Sequence, residues 1–182
     1  MVEYFWERGN TRLRPLRDED VDAYLSADLD SEAKRVLNHS VGLPRSKASQ
    51  ADSLPIDFKN APQRLDFAVE TLEGEFVGFA AIDQIEEQSG NFSTVSFILE
   101  PHRRRGHVED AKDLMLTYMF DERRFEKYNT DCVETNEAII GHLKKLGCIE
   151  EGRRRRRIFT GGRYYDQVLF GLTRDEWKGG GT

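Results

Sequence analysis

The sequence predicts an α+β fold built on one mixed, mostly antiparallel central sheet flanked by helices. Three observations carry that expectation. Between residues 65 and 99, three strand-forming runs follow one another across the turn signals Glu73-Gly74 and Ser89-Gly90-Asn91, as in a meander. Two amphipathic helical patterns then alternate with a single strand-forming run. The chain closes on two long runs joined by Gly161-Gly162, the mark of a final hairpin.

Taken in order, Thr11 to Arg17 reads as the first strand, with Leu13 and Leu16 inward. Asp18 is placed to cap a helix whose first turn takes Glu19 and Asp20. Val21, Tyr24 and Leu25 recur at helical spacing, and a second short helix is expected over Ser31 to Leu37. From Asn38 to Pro62, Gly42, Pro44, Pro55 and Pro62 interrupt any long element; a helix over Lys47 to Asn60 and mobility are expected there. Leu65 to Leu72, Phe76 to Ile85 and Phe92 to Leu99 are the meander strands. The second of them is apolar on both faces from Val77 to Ile82, which puts it in the middle of the sheet. Val108, Ala111, Leu114, Met115, Tyr118 and Met119 mark one face of a helix ending near Phe120. Tyr128 to Glu134 is a strand. Asn136 starts a helix with the stripe Ile139, Ile140, Leu143 and Leu146, and Gly147 ends it. Cys148 to Phe159 and Arg163 to Leu172 form the last hairpin.

The 182 residues suit one domain, expected over 1–177, with 178–182 as a flexible glycine-rich tail. No apolar run approaches the roughly 20 residues a membrane-spanning helix needs. Met1 to Trp6 lacks the basic-then-apolar order of a signal peptide. Cys132 and Cys148 have neither CxxC spacing nor partners for a zinc site, so no metal is expected and a reducing cytoplasm is the default. A net charge of −6 argues against a general nucleic-acid binder. Within that acidic frame, Arg103 to Arg105 and Arg153 to Arg157 are dense cationic clusters. The second lies on a predicted strand, so its side chains should alternate faces and only two or three can point one way.

The densest chemical signal is Ser96 to Val108. A strand ends at Pro101, three arginines and Gly106 follow, and a helix begins. Unused backbone N–H groups and the helix dipole favour an anion at such a turn, and arginines add charge-assisted hydrogen bonds. Arg103, Arg104, Arg105, Gly106, His107 and Val108 are therefore candidates to cradle a phosphorylated cofactor. Of the two histidines flanking the turn, His107 is expected to meet phosphate or solvent. Glu100, Asp83 and Glu86 lie at ends of the central strands and are candidate bases; for each one singly, a solvated carboxylate is the competing reading.

These residues resemble the GNAT acetyltransferase superfamily, in particular the branch that acetylates ribosomal-protein N-termini and polyamines. Arg103-Arg104-Arg105-Gly106-His107-Val108 is similar to the family's Gln/Arg-x-x-Gly-x-Gly/Ala turn, with Val108 for the usual small residue. Asn136-Glu137-Ala138 running into Lys144-Lys145-Leu146-Gly147, the hairpin residues Glu151-Gly152, Gly162-Arg163-Tyr164 and Asp166, and the closing Glu176-Trp177 continue the likeness. The resemblance implies a sheet splayed between its fourth and fifth strands. It implies acetyl-CoA as cosubstrate, without a metal, and direct attack by a primary amine: a protein N-terminus, a polyamine or a small amine. Backbone N–H groups near Phe97, Ile98 and Leu99 would polarise the thioester, and Asn136 and Lys145 would touch the cofactor. A homodimer through the final hairpin belongs to the same expectation. Leu143 stands where many relatives carry a tyrosine that protonates the CoA thiolate. That departure keeps a non-catalytic acyl-CoA sensor or scaffold open as an alternative, and Arg153 to Arg157 keep open a ribosome- or RNA-associated module.

Overall fold

The computed structural model describes residues 4–23, 30, 31, 34, 35, 39–43 and 63–177. Among them the elements are β1 (Glu7–Arg8), β2 (Thr11–Arg14), β3 (Leu65–Thr71), β4 (Phe76–Glu86), β5 (Asn91–Ile98), α1 (His107–Thr117), β6 (Lys127–Val133), α2 (Glu137–Leu146), β7 (Ile149–Thr160) and β8 (Arg163–Thr173). One eight-stranded sheet runs β1-β2-β3-β4-β5-β6-β8-β7. Every neighbouring pair is antiparallel except β5 and β6.

Most expected boundaries hold to within a residue or two, and the exceptions have local causes. The first strand stops at Arg14 because Pro15 has no N–H to give a ladder. Asp18 does not cap a helix; it opens a 3₁₀ turn, and the cap comes from Asp20, whose carboxylate accepts the Arg17 N–H at 2.8 Å. The short β1 is unsignalled in the sequence. α1 runs on into a five-residue π-helical turn, Tyr118–Glu122, so the helix overshoots Phe120. The helix expected over Val21 to Leu25 is described from Val21 to Ala23, which are helical; those over Ser31 to Leu37 and Lys47 to Asn60, and the tail 178–182, lie largely or wholly outside the described residues.

The core sits between the sheet and α1. Val77, Ala80 and Ile82 of β4 pack with Ala111, Leu114, Met115 and Leu116 of α1, and α2 adds Leu143. As expected, β4 is central and apolar on both faces. It also comes unusually close to β5: Phe97 O and Ile98 Cα (3.0 Å) stand where a side chain on Gly78 would begin. Gly78→Ala would push the β5 backbone outward, and a loss of about 1–3 kcal/mol in unfolding free energy is expected, read from denaturant midpoints. An unchanged midpoint would mean the two strands do not approach as described.

The arginine run behaves differently from a regular strand. Arg153 to Arg157 are all exposed. The β7–β8 register shifts between Arg154 and Ile158, and Arg156 takes a left-handed φ of 52°. This bulge on an edge strand cancels the alternation that would turn some of them inward. Arg153 pairs with Glu150 at 2.8 Å and Arg156 lies 4.9 Å from the Tyr164 ring centroid.

Candidate active site

The site begins with a separation of strands. β5 and β6 pair in parallel only at Asn91↔Lys127 and Phe92↔Tyr128. Beyond that, β5 stays with β4 as far as Gly78↔Ile98, and β6 follows β8 to Val133↔Gln167. The two halves of the sheet diverge, as expected between the fourth and fifth strands of the sequence reading, which become β5 and β6 once β1 is counted. The cavity there is about 460 Å³. Phe79 and Asp83 of β4, Ser96 of β5, Lys112 of α1, Asp131 of β6 and Asn136 are among its walls.

The three candidate bases are not equivalent. Asp83 alone of them lines the cleft. Its Oδ1 is buried without a hydrogen-bond partner, and Oδ2 faces Arg64 Nη1 at 3.6 Å. Burial raises its pKa above the ordinary carboxylate value, outweighing the opposite pull of Arg64 and Ser93. Glu86 is exposed, accepts from Ser89 and lies in a different depression beside Gln88 and Asn91. Its pKa is held down by the hydrogen bonds from Ser89 and Asn91. Glu100 is exposed in the 3₁₀ turn Glu100–His102 and does not wall the cleft.

At the arginine turn, the first bond of α1 runs from the Asp110 N–H to Gly106 O at 3.0 Å, so the amides before it are not used by the helix. Arg104 (φ 63°) and Gly106 (φ 90°) are both left-handed, and a side chain on Gly106 would meet no protein atom within 4 Å. The backbone is thus concave and open there, a geometry that suits an anion. Arg104 and Arg105 are exposed. Arg103 is committed elsewhere: Nε donates to Ile98 O (2.9 Å), Nη2 pairs with Asp30 (2.5 Å), and the guanidinium lies 5.6 Å from the Phe97 ring centroid. It ties the turn to the end of β5 instead of reaching outward.

His107 differs from expectation. Its ring is 2% exposed, with Nδ1 2.9 Å from Thr11 Oγ1. The Thr11 hydroxyl has one hydrogen and donates it to Asp110 Oδ2 at 3.0 Å. The Thr11–His107 bond therefore takes its proton from Nδ1. Burial lowers the histidine pKa, which keeps the ring neutral. His107 anchors the first turn of α1 to β2 and is withdrawn from solvent, with Nε2 buried and without a partner.

Of the three backbone donors at the end of β5, the Leu99 N–H is taken by Val77 O at 2.9 Å. The antiparallel alternation turns the Phe97 amide the same way and the Ile98 amide toward the splay. Phe97 and Val108 line the cleft. Asn136 both lines the cleft and caps α2, its Oδ1 accepting the Ile139 N–H at 3.2 Å. Lys145 is exposed on α2 and not among the cleft walls; Leu143 is fully buried in the core.

Two wall residues escape a sequence reading. Asp131 stays ionised because His39 Nε2 (3.1 Å) and Gln167 Nε2 (2.7 Å) hydrogen-bond to it. Lys112 is a buried cation on the face that Val108, Ala111 and Met115 make apolar. A lysine interrupting that stripe is the signal that was there to find.

The chain belongs to the GNAT acetyltransferase family. The family model for the acetyltransferase (GNAT) domain matches residues 10–149. The chain is 30% identical over 178 residues to a prophage-derived uncharacterized N-acetyltransferase, YokL, of Bacillus subtilis, covering 98% of each. A putative ribosomal N-acetyltransferase of the same organism, YdaF, is 22% identical over 107 residues, 59% of this chain and 58% of that one. In fold, the protein is similar to a spermidine N-acetyltransferase from Vibrio cholerae solved with CoA and spermine. Their TM-score is 0.82 at 17% identity, covering 92% of this chain and 97% of that one.

Proposed function

We propose that the protein transfers an acetyl group from acetyl-CoA to a primary amine by direct attack in a ternary complex. The observation that carries this reading is the cleft at the splay, with the half-buried Asp83 carboxylate in its wall and the open turn at Gly106 nearby. The phosphates would lie on the amides of the Arg104–Val108 turn, with Arg104 and Arg105 adding charge. The Ile98 N–H would polarise the thioester carbonyl and Asp83 would take the amine proton, directly or through a water. The acceptor class is a protein N-terminus, a polyamine or a small amine, and the ionised Asp131 favours one that arrives as a cation. Thiol release from acetyl-CoA, followed across a panel of peptides, polyamines and small amines, should reveal acceptor-dependent turnover. Binding of acetyl-CoA with no transfer to any member would overturn the reading.

One observation favours a second reading, a protein that binds acyl-CoA without turnover. Leu143, where the resemblance places a protonating phenol, packs in the core. Turnover that disappears on changing Asp83 while acetyl-CoA binding persists would exclude it.

A further inference from the structure

Lys112 is 7% exposed, yet it lines the cleft. Its Nζ donates to Tyr128 Oη at 3.4 Å and lies 5.8 Å from that ring's centroid. Tyr128 is fully buried, belongs to the last β5–β6 pair before the strands separate, and also receives the Thr94 hydroxyl at 3.2 Å. The ammonium is therefore fixed at the inner end of the cleft, where the two halves of the sheet begin to diverge.

Among the described residues no carboxylate lies within ion-pair distance of its Nζ, though the charge of Lys112 is felt at Asp113. β6 contributes Tyr128 and Cys132, α2 contributes His142, and Cys148 follows its Gly147 cap, all within electrostatic reach. Burial pushes both thiols up to about 11 and lowers the histidine, so these three are neutral near pH 7. On its own helix, Asp113 faces Arg8 at 3.4 Å and Glu109 faces His142 at 3.8 Å. No carboxylate of the described residues pairs with Lys112. A buried ammonium held by a neutral hydroxyl is costly, and an apolar residue would complete the α1 stripe more cheaply. The position makes sense if a ligand brings the anion.

We propose that Lys112 receives the departing thiolate of CoA, the role left open by Leu143; this rests on the acetyl-CoA reading above. In transfer, the amine nitrogen bonds to the carbonyl carbon and the C–S bond breaks. Sulfur leaves with the electron pair, and the amine's proton passes to Asp83 or to a water. An alkylammonium is ordinarily a weaker acid than a thiol, so the two meet as ammonium and thiolate. The sulfur takes its proton from solvent as CoA leaves. With the phosphates at the start of α1, the pantetheine arm would carry the acyl-thioester inward along the cleft that Lys112 lines.

The test is calorimetric titration with acetyl-CoA, CoA and desulfo-CoA, in which hydrogen replaces the thiol, at about pH 6.5 and 8.5. Wild type should bind CoA about tenfold more tightly than desulfo-CoA at the higher pH, with the gap closing at the lower one. Lys112→Met, which removes the charge and keeps the volume, should erase the gap while leaving acetyl-CoA affinity within about threefold. Wild type alone can decide the matter: acetyl-CoA binding with no preference for CoA over desulfo-CoA overturns this proposal and leaves the cofactor reading standing. So does a preference that survives in Lys112→Met. Succinyl-CoA gaining over acetyl-CoA in a Lys112-dependent way would also overturn it, by assigning the cation to an acyl carboxylate. No binding of acetyl-CoA to wild type overturns both.

Discussion

Asp83→Asn should lower turnover by about 10²- to 10⁴-fold while leaving acetyl-CoA affinity nearly unchanged. The amide keeps the size and polarity of the side chain and loses the ability to accept a proton. The pH profile offers a second check with a definite sign. Burial holds the Asp83 pKa above the usual carboxylate value, and the base must be ionised to work. The acid limb of kcat/KM should therefore fall at a pH above about 4, higher than for a solvent-exposed aspartate. Glu86→Gln and Glu100→Gln, at exposed positions away from the cleft, should retain turnover within about threefold. A rate unaffected by Asp83→Asn would remove Asp83 from the chemistry.

Arg14→Met should cost about 3–5 kcal/mol of stability. Arg14 donates through Nε to Glu70 (2.5 Å) and through Nη1 and Nη2 to Asp20 (2.7 and 3.0 Å), with all three side chains at most 7% exposed. Arg12 also reaches Glu70 at 3.0 Å, so that carboxylate keeps one cation in the variant, while Asp20 loses both of its guanidinium bonds. Burial alone would raise both carboxyl pKa values. The hydrogen bonds from Arg14, helped by the Arg17 amide at Asp20 and by Arg12 at Glu70, instead hold them below the usual range. Carboxyls depressed in the folded state contribute stability that is complete above about pH 4.5 and lost as pH falls through their folded values. The gap between wild type and Arg14→Met in chemical denaturation should therefore be widest near neutrality and narrow below about pH 4. A gap independent of pH would mean that packing, and not charge, is what Arg14 contributes.

The strands from β2 onward and the helices α1 and α2 were legible because their signals are local. Alternation, turn dipeptides and apolar stripes lie within single elements, and Gly147 ends α2 with φ 99° as a left-handed C-cap should. What escaped the sequence is what depends on neighbours. Glu86, Asp83 and Glu100 are equal as strand-end carboxylates, and only the divergence of β5 from β6 makes Asp83 a cleft residue. The arginine turn was legible as a backbone shape, through Gly106. The inward folding of Arg103 onto Ile98 O and Asp30 was not, since it needs tertiary partners. His107 read as a cofactor contact because its number places it at the helix start; its ring instead meets Thr11, nearly a hundred residues earlier. The even exposure of Arg153 to Arg157 follows from a bulge that no residue type announced.

The central claim is that acetyl-CoA occupies this cleft with its phosphates on the Arg104–Val108 turn, and calorimetric titration of wild type and Gly106→Trp tests it most directly. The new ring would stand in the open space above Gly106, where the phosphates belong. Substitution at φ 90° also adds about 1–2 kcal/mol of backbone strain, so folding of the variant is checked alongside by circular dichroism. Saturable one-to-one binding to wild type, weakened about 100-fold or more in a folded Gly106→Trp, is the predicted result. Equal affinity in both proteins would place the cofactor elsewhere and contradict the account.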